Sequence, residues 1–285
     1  MSVWHILRIG WSPYPSVLAG CLALLLNYAL ATGATPGGLA RSSRFWLFAL
    51  GDLVLMLALV SPLDTLGDTY LFSVHMLQHL LLIQVVPPLL VLGLPADLVD
   101  RALRRPAARR VERVLGQPLL AWSLGIGTLW VWHLPALYDA ALASEGVHIV
   151  QHLCFLLTST IFWWPVLTPQ SGRRLGLPLA ILYLLGASFS SSVLGILIAF
   201  APAGLYTGYL HPIDTLGILH VIRHDWGIDA ASDQQIGGLL MWIPGGIAYL
   251  VAIIGVFGHW QSQPDWYDEP EGPRYPELLH ESPRR

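Results

Sequence analysis

Seven stretches of this chain are apolar for long enough to cross, or nearly cross, the ~30 Å hydrocarbon core of a bilayer. They fall near residues 15–32, 45–61, 70–94, 118–135, 148–168, 178–201 and 236–258. In hydrocarbon a backbone must satisfy its own N–H and C=O groups, and runs of this length do so as helices. The chain is therefore predicted to be all-α, a polytopic membrane helix bundle with seven transmembrane helices. Composition agrees: 54% of the 285 residues are hydrophobic and 12% are charged, against roughly 25% charged in soluble domains. The mean hydropathy is +0.58. The second run is short and carries Asp52, and the third contains Pro87-Pro88, which is predicted to kink it or end it early.

The connections predict a direction. All fifteen basic residues are arginine. Loop 33–44 holds Arg41 and Arg44, loop 95–117 holds Arg101, Arg104, Arg105, Arg109, Arg110 and Arg113, and loop 169–177 holds Arg173 and Arg174. Loops 62–69 and 136–147 have none, and loop 202–235 has only Arg223. Because cytoplasmic loops collect arginine, the N-terminus is predicted outside and the C-terminus cytoplasmic. Residues 1–260 form the transmembrane domain. Residues 261–285, proline-rich and acidic around Asp268-Glu269-Pro270-Glu271, are expected to be a solvated, poorly ordered cytoplasmic tail. No cleavable signal stands out, so the first run reads as a retained helix. Cys21 and Cys154 both lie within spans and do not read as a disulfide framework. Basic residues that are all arginine, with no lysine, argue against a nucleic-acid groove, where basic residues spread across one exposed face.

Against this background two pairs of histidines stand out, His75/His79 and His148/His152. Residues four apart share one helical face, and titratable side chains inside a membrane mark functional sites by default. The predicted direction puts both pairs near the outer mouth, with His133, at the end of the fourth span, in the same layer. Eight of the eleven histidines fall in the outer third when His211, His220 and His224 of loop 202–235 are included. His5 precedes the first span on that side, while His259 and His280 lie inside. A lone membrane histidine often just donates to a backbone carbonyl, and for the three loop histidines an ordinary surface role weighs equally. Two pairs at matched depth would require that coincidence twice.

Imidazole suits copper, zinc, iron and nickel. A closed four-ligand zinc site fits poorly with transfer, so copper in a mostly imidazole shell is the first reading. A bis-histidine haem between the third and fifth spans is the alternative. The expected ligands are His75, His79, His133, His148 and His152. Carboxylates at the same level include Asp64, Asp68, Asp139, Asp214, Asp225 and Asp233. Of these, Asp64 or Asp233 is expected to orient a ring from behind. Gln78 and Gln151 precede the second histidine of each pair. Met76 offers a soft thioether beside His75, although it is expected to point somewhat away from the stripe, and Met241 is expected to pack in the core. Ligand imidazoles must be neutral, so affinity is expected to fall below pH ~6.5.

Other features carry simpler expectations. Asp52 is either a paired polar contact or part of a pathway. Phe162-Trp163-Trp164-Pro165 reads as an interfacial anchor. Ser188, Ser190, Ser191 and Ser192, with Gly186 and Gly195, form a small-residue face for helix packing. Asp233 reads as the cap of the last span, and Pro244-Gly245-Gly246 as a break or kink within it.

Taken in order, His75-Met76-Leu77-Gln78-His79, Trp132-His133-Leu134-Pro135 with Tyr138-Asp139, His148 to His152 leading to Phe162-Trp163-Trp164-Pro165, and Asp233-Gln234-Gln235 with Gly237-Gly238 and Met241-Trp242-Ile243-Pro244-Gly245-Gly246 resemble the CtaG-type cytochrome c oxidase assembly family of bacterial inner-membrane proteins. The resemblance runs over roughly residues 70–250 and is weakest over 205–232. It implies a non-enzymatic assembly factor that supplies or handles copper for a haem–copper terminal oxidase. The implied partners are an oxidase subunit, a copper donor protein and the lipid bilayer. The rival expectations are a haem-binding membrane redox protein and a copper importer. An importer would need a polar path beneath the site, past Asp52, and no such file of residues is visible.

Overall fold

The computed structural model describes residues 8–262. His5, His280 and the acidic tail beyond 262 lie outside the described residues. Within them the chain is helical, with no strand. In chain order the helices are α1 (Pro15–Thr32), α2 (Pro36–Ala40), α3 (Ser43–Val60), α4 (Pro62–Thr69), α5 (Phe72–Leu80), α6 (Val86–Gly93), α7 (Ala96–Leu103), α8 (Pro106–Leu115), α9 (Pro118–Trp132), α10 (Pro135–Ala143), α11 (Glu145–Leu167), α12 (Leu177–Phe200) and α13 (Ala230–Gln261). Six are long and apolar enough to cross a membrane, counting the continuous helix Phe72–Gly93 as one. A seventh exists if α8 and α9, bent by 69°, form one span.

The fourth span is the shortest. α9 is only 15 residues long, about 22 Å at 1.5 Å per residue. Prolines set both its limits. The residue before a proline is driven out of the helical region, and Gln117 and Leu134, which precede Pro118 and Pro135, are both extended.

In the third span Pro87-Pro88 neither ends nor interrupts the helix. A π-helical turn, Leu81–Val85, joins α5 to α6. Pro87 has no N–H to offer the carbonyl four residues earlier, that of Ile83. The Trp163 indole of α11 supplies the missing donor at 2.9 Å. This also corrects the reading of the Phe162–Pro165 segment as an interfacial anchor. Phe162 and Trp163 are 3% and 2% exposed and pack with Tyr183 and Tyr249. Their polar atoms and rings are used inside the bundle.

The small-residue face on α12 meets α13. A Cβ on Gly195 would lie 2.7 Å from the Gly238 carbonyl oxygen, and one on Gly238 would lie 2.5 Å from the Ala199 nitrogen. Gly246 sits beside the Ser188 and Ser192 hydroxyls at 3.8 and 3.9 Å from an added Cβ. The two backbones are thus in direct contact, as small residues permit in membranes. Gly238→Ala is expected to lower stability by about 1–3 kcal/mol through overpacking, read as a lower melting temperature in detergent. Held in this way, α13 runs unbroken from Ala230 to Gln261 through Pro244. The expected break does not occur.

Asp233 also departs from its expected role. The cap of α13 is Asp229, whose carboxylate accepts from the Ser232 N–H. Asp233, fully buried, instead accepts from the N–H groups of Phe72 at 2.7 Å and Ser73 at 3.0 Å. It therefore caps α5, whose own N-cap residue, Leu71, has no capping side chain. Gln234 joins the end of α12 to the following loop, donating to the Ile198, Ala201 and Pro202 carbonyls and accepting from Gly204 and Leu205 N–H. Asp52 is buried against the Cys21 thiol, and its Oδ1 has no partner.

Candidate metal centre

The i,i+4 spacing stacks His75 on His79 along α5 and His148 on His152 along α11, with ring centroids 4.3 and 4.0 Å apart. Between the helices, His75 lies 5.2 Å from His148 and 6.0 Å from His152, and His79 lies 5.6 Å from His152. Pro135 stops α9 so that His133 falls at its C-terminus, its ring 5.6 Å from His79. All five sequence-predicted imidazoles thus form one cluster. His75, His148 and His152 each offer a nitrogen within 4.8 Å of the others.

The hydrogen bonds set the tautomers. The Tyr209 hydroxyl donates to the Gly67 carbonyl at 2.7 Å, so it accepts from His75 Nδ1 at 3.0 Å. His133 Nδ1 donates to the Leu129 carbonyl at 2.7 Å. His148 Nδ1 faces Asp68 Oδ2 at 3.3 Å. In His75 and His133 the proton therefore sits on Nδ1, which leaves a lone pair on Nε2. Nε2 of His133, His148 and His152 and Nδ1 of His79 are buried without a partner. His75 Nε2 meets His79 Nε2 at 2.8 Å, so one of that pair donates and the other accepts. An unsatisfied buried polar atom costs about 1–3 kcal/mol. Four in one cluster, on rings whose other nitrogens are mostly held by acceptors, match what a metal ion requires of imidazole ligands.

The carboxylate beside the rings is Asp68. It lies on α4, 3.7 Å from His75 Nδ1 as well as against His148. Asp64 instead accepts from the Gln78 amide at 2.9 Å, and Asp233 caps α5. Burial and the neighbouring Asp64 push the Asp68 carboxyl above the ordinary carboxylate range. Gln78 also donates to the Ala58 carbonyl, while both polar side-chain atoms of Gln151 are buried without partners.

An aromatic wall closes one side. Tyr138 stands 5.4 Å from His75 and 4.1 Å from Tyr206, which stacks on Phe72 and donates to the His133 carbonyl. Phe155 packs on His79 at 4.6 Å. Tyr206 and Tyr209 come from the loop after α12, and sequence reasoning missed both; an irregular loop has no periodicity to show which way its side chains point. Met76 and Met241 pack in the apolar cluster around Phe72. His211, His220 and His224 are exposed. His220 and His224 stack on each other at 4.5 Å, away from the five.

Apolar helices enclosing a buried five-imidazole cluster define a multi-pass membrane protein built around a candidate metal centre. Residues 24–263 match the family described as cytochrome c oxidase caa3 assembly factor, and the chain belongs to that family. The match begins midway along α1 and takes in α3 as well as the histidine motifs. An uncharacterised protein of Mycobacterium leprae is 26% identical over 269 residues, 86% of this chain and 39% of its own length. Uncharacterised proteins of Mycobacterium bovis and Mycobacterium tuberculosis are each 26% identical over 298 residues, 92% of this chain and 43% of their own length. The chain thus spans less than half the length of these curated relatives. No solved structure matches it.

Proposed function

We propose that this protein helps mature a haem–copper terminal oxidase by holding copper at the five-histidine cluster and passing it on. The observation that carries this reading is the set of buried imidazole nitrogens with no partner. Copper accepts a mostly imidazole shell, and five candidate ligands exceed what a closed four-ligand site needs. In this reading His75, His79, His133, His148 and His152 hold the ion as cargo, with His75 and His148 oriented by Tyr209 and Asp68. Partners are a copper donor protein and an oxidase subunit. The setting is the bacterial inner membrane, with the histidine end outside. The clustering of arginine in alternate loops supports that direction. No turnover chemistry is part of the proposal.

Ring spacings of 4.0–6.0 Å, with Tyr138 and Phe155 packed against the rings, leave little room for a macrocycle and favour an ion over haem. The importer reading lacks a continuous polar path. The test is elemental analysis with an absorbance spectrum on the purified chain and on the His79→Ala/His152→Ala variant. Copper in the native protein, reduced at least tenfold in the variant and without a Soret band, is the expected result. A Soret band lost in the variant would make this a haem protein. Neither metal nor haem after reconstitution would leave the cluster structural.

A further inference from the structure

A cavity of about 660 Å³ lies between α1 and α11. Its lining runs from Tyr14 to Leu24 on one wall and from Glu145 to Leu156 on the other, about 15 Å along each helix. Of the five clustered imidazoles only His148 and His152 line it. They are also the most exposed of the five, at 12% of the His148 side chain and 9% of His152, against 0%, 2% and 4% for His75, His79 and His133. The Nε2 atoms of His148 and His152 have no partner. Three carboxylates, Asp64, Asp68 and Glu145, sit at the histidine end of the slot, and no arginine lines it.

We propose that this slot is the passage by which a metal cation reaches and leaves the histidine cluster, drawn in by the exposed Glu145 at its head. The inference rests on the reading of the cluster as a copper site and adds its route and direction of exchange. An exposed carboxylate at the mouth, with no arginine in the lining, raises the local cation concentration and the encounter rate. His148 and His152 are then the first imidazoles met, and the other three receive the ion from behind them. The lower half of the slot is lined by Leu24, Leu55, Leu153 and Leu156, with the Cys21 thiol as its polar exception.

Gly20 supplies a clean test. It lines the slot, and a Cβ added there meets no atom within 4 Å, so a large side chain can enter without moving backbone. Purified full-length protein is loaded with copper(I) alone and then stripped by a coloured copper(I) chelator, and both rates are followed. Gly20→Trp is expected to slow loading and removal at least tenfold with the final copper content unchanged, while Gly20→Ala behaves as native. Glu145→Gln, at an exposed position, is expected to slow loading several-fold and to flatten its dependence on ionic strength. A copper-binding native chain whose Gly20→Trp and Glu145→Gln variants both exchange at the native rate overturns the passage alone. A native chain that takes up no copper overturns the functional reading, and the passage with it.

Discussion

Asp233→Ala is expected to be the most damaging single substitution outside the histidines. Its carboxylate satisfies two consecutive N–H groups at the start of α5, and the site is sealed from solvent. Removing the acceptor leaves both donors buried and unpaired, at about 1–3 kcal/mol each. No neighbouring side chain is placed to replace it, since Leu71 at the N-cap position is apolar. The loss is expected to total about 2–5 kcal/mol, seen as a fall in melting temperature and as early protease cutting in detergent. Because α5 begins only three residues before His75, copper content should fall together with stability. Asp233→Asn keeps one acceptor oxygen and should recover part of both. If Asp233→Ala melts like the native chain, the cross-span cap has no energetic weight.

Tyr209→Phe tests the site rather than the fold. The hydroxyl bridges the Gly67 carbonyl and His75 Nδ1, and so holds the proton on the outer nitrogen of His75. Without it the ring is free to rotate or to change tautomer, and the lone pair no longer faces the cluster. Groups that orient a ligand from behind typically account for 10- to 100-fold in metal affinity. A drop of that size in copper(I) affinity, measured by chelator competition, is expected with little change in melting temperature. Unchanged affinity would remove Tyr209 from the positioning machinery.

The membrane architecture was readable because hydrocarbon imposes one rule on every residue of a span: long apolar runs announced themselves whatever they packed against. Proline was harder to read. Pro118 and Pro135 cut the fourth run short, whereas Pro87 and Pro244 lie inside continuous helices. The difference lies in neighbours that a sequence does not display, such as the indole of Trp163 or the backbone of α12. The histidine cluster was visible as spacing, since i,i+4 repeats fix a common face within one helix. Its supporting groups were not. Asp64 and Asp68 share a face of α4 by the same spacing, and sequence alone favoured Asp64. The close crossing at Gly67, where an added Cβ would come within 3.0 Å of the His75 Cα, brings Asp68 to the rings. Asp233 was recognised as a cap, but its helix lies 160 residues earlier in the chain.

The hydrogen bond from Trp163 to the Ile83 carbonyl joins the two helices that carry the paired histidines. It lies one turn beyond His79 on one arm and three turns beyond His152 on the other, and it exists because a proline left one carbonyl without its donor. The bond acts as a crossbar: it holds the separation of the two histidine arms from a point the cargo never touches. An ion can then arrive or depart without the arms closing or springing apart, so little ordering entropy is spent at each exchange. A carrier framed in this way can surrender its cargo as readily as it accepts it.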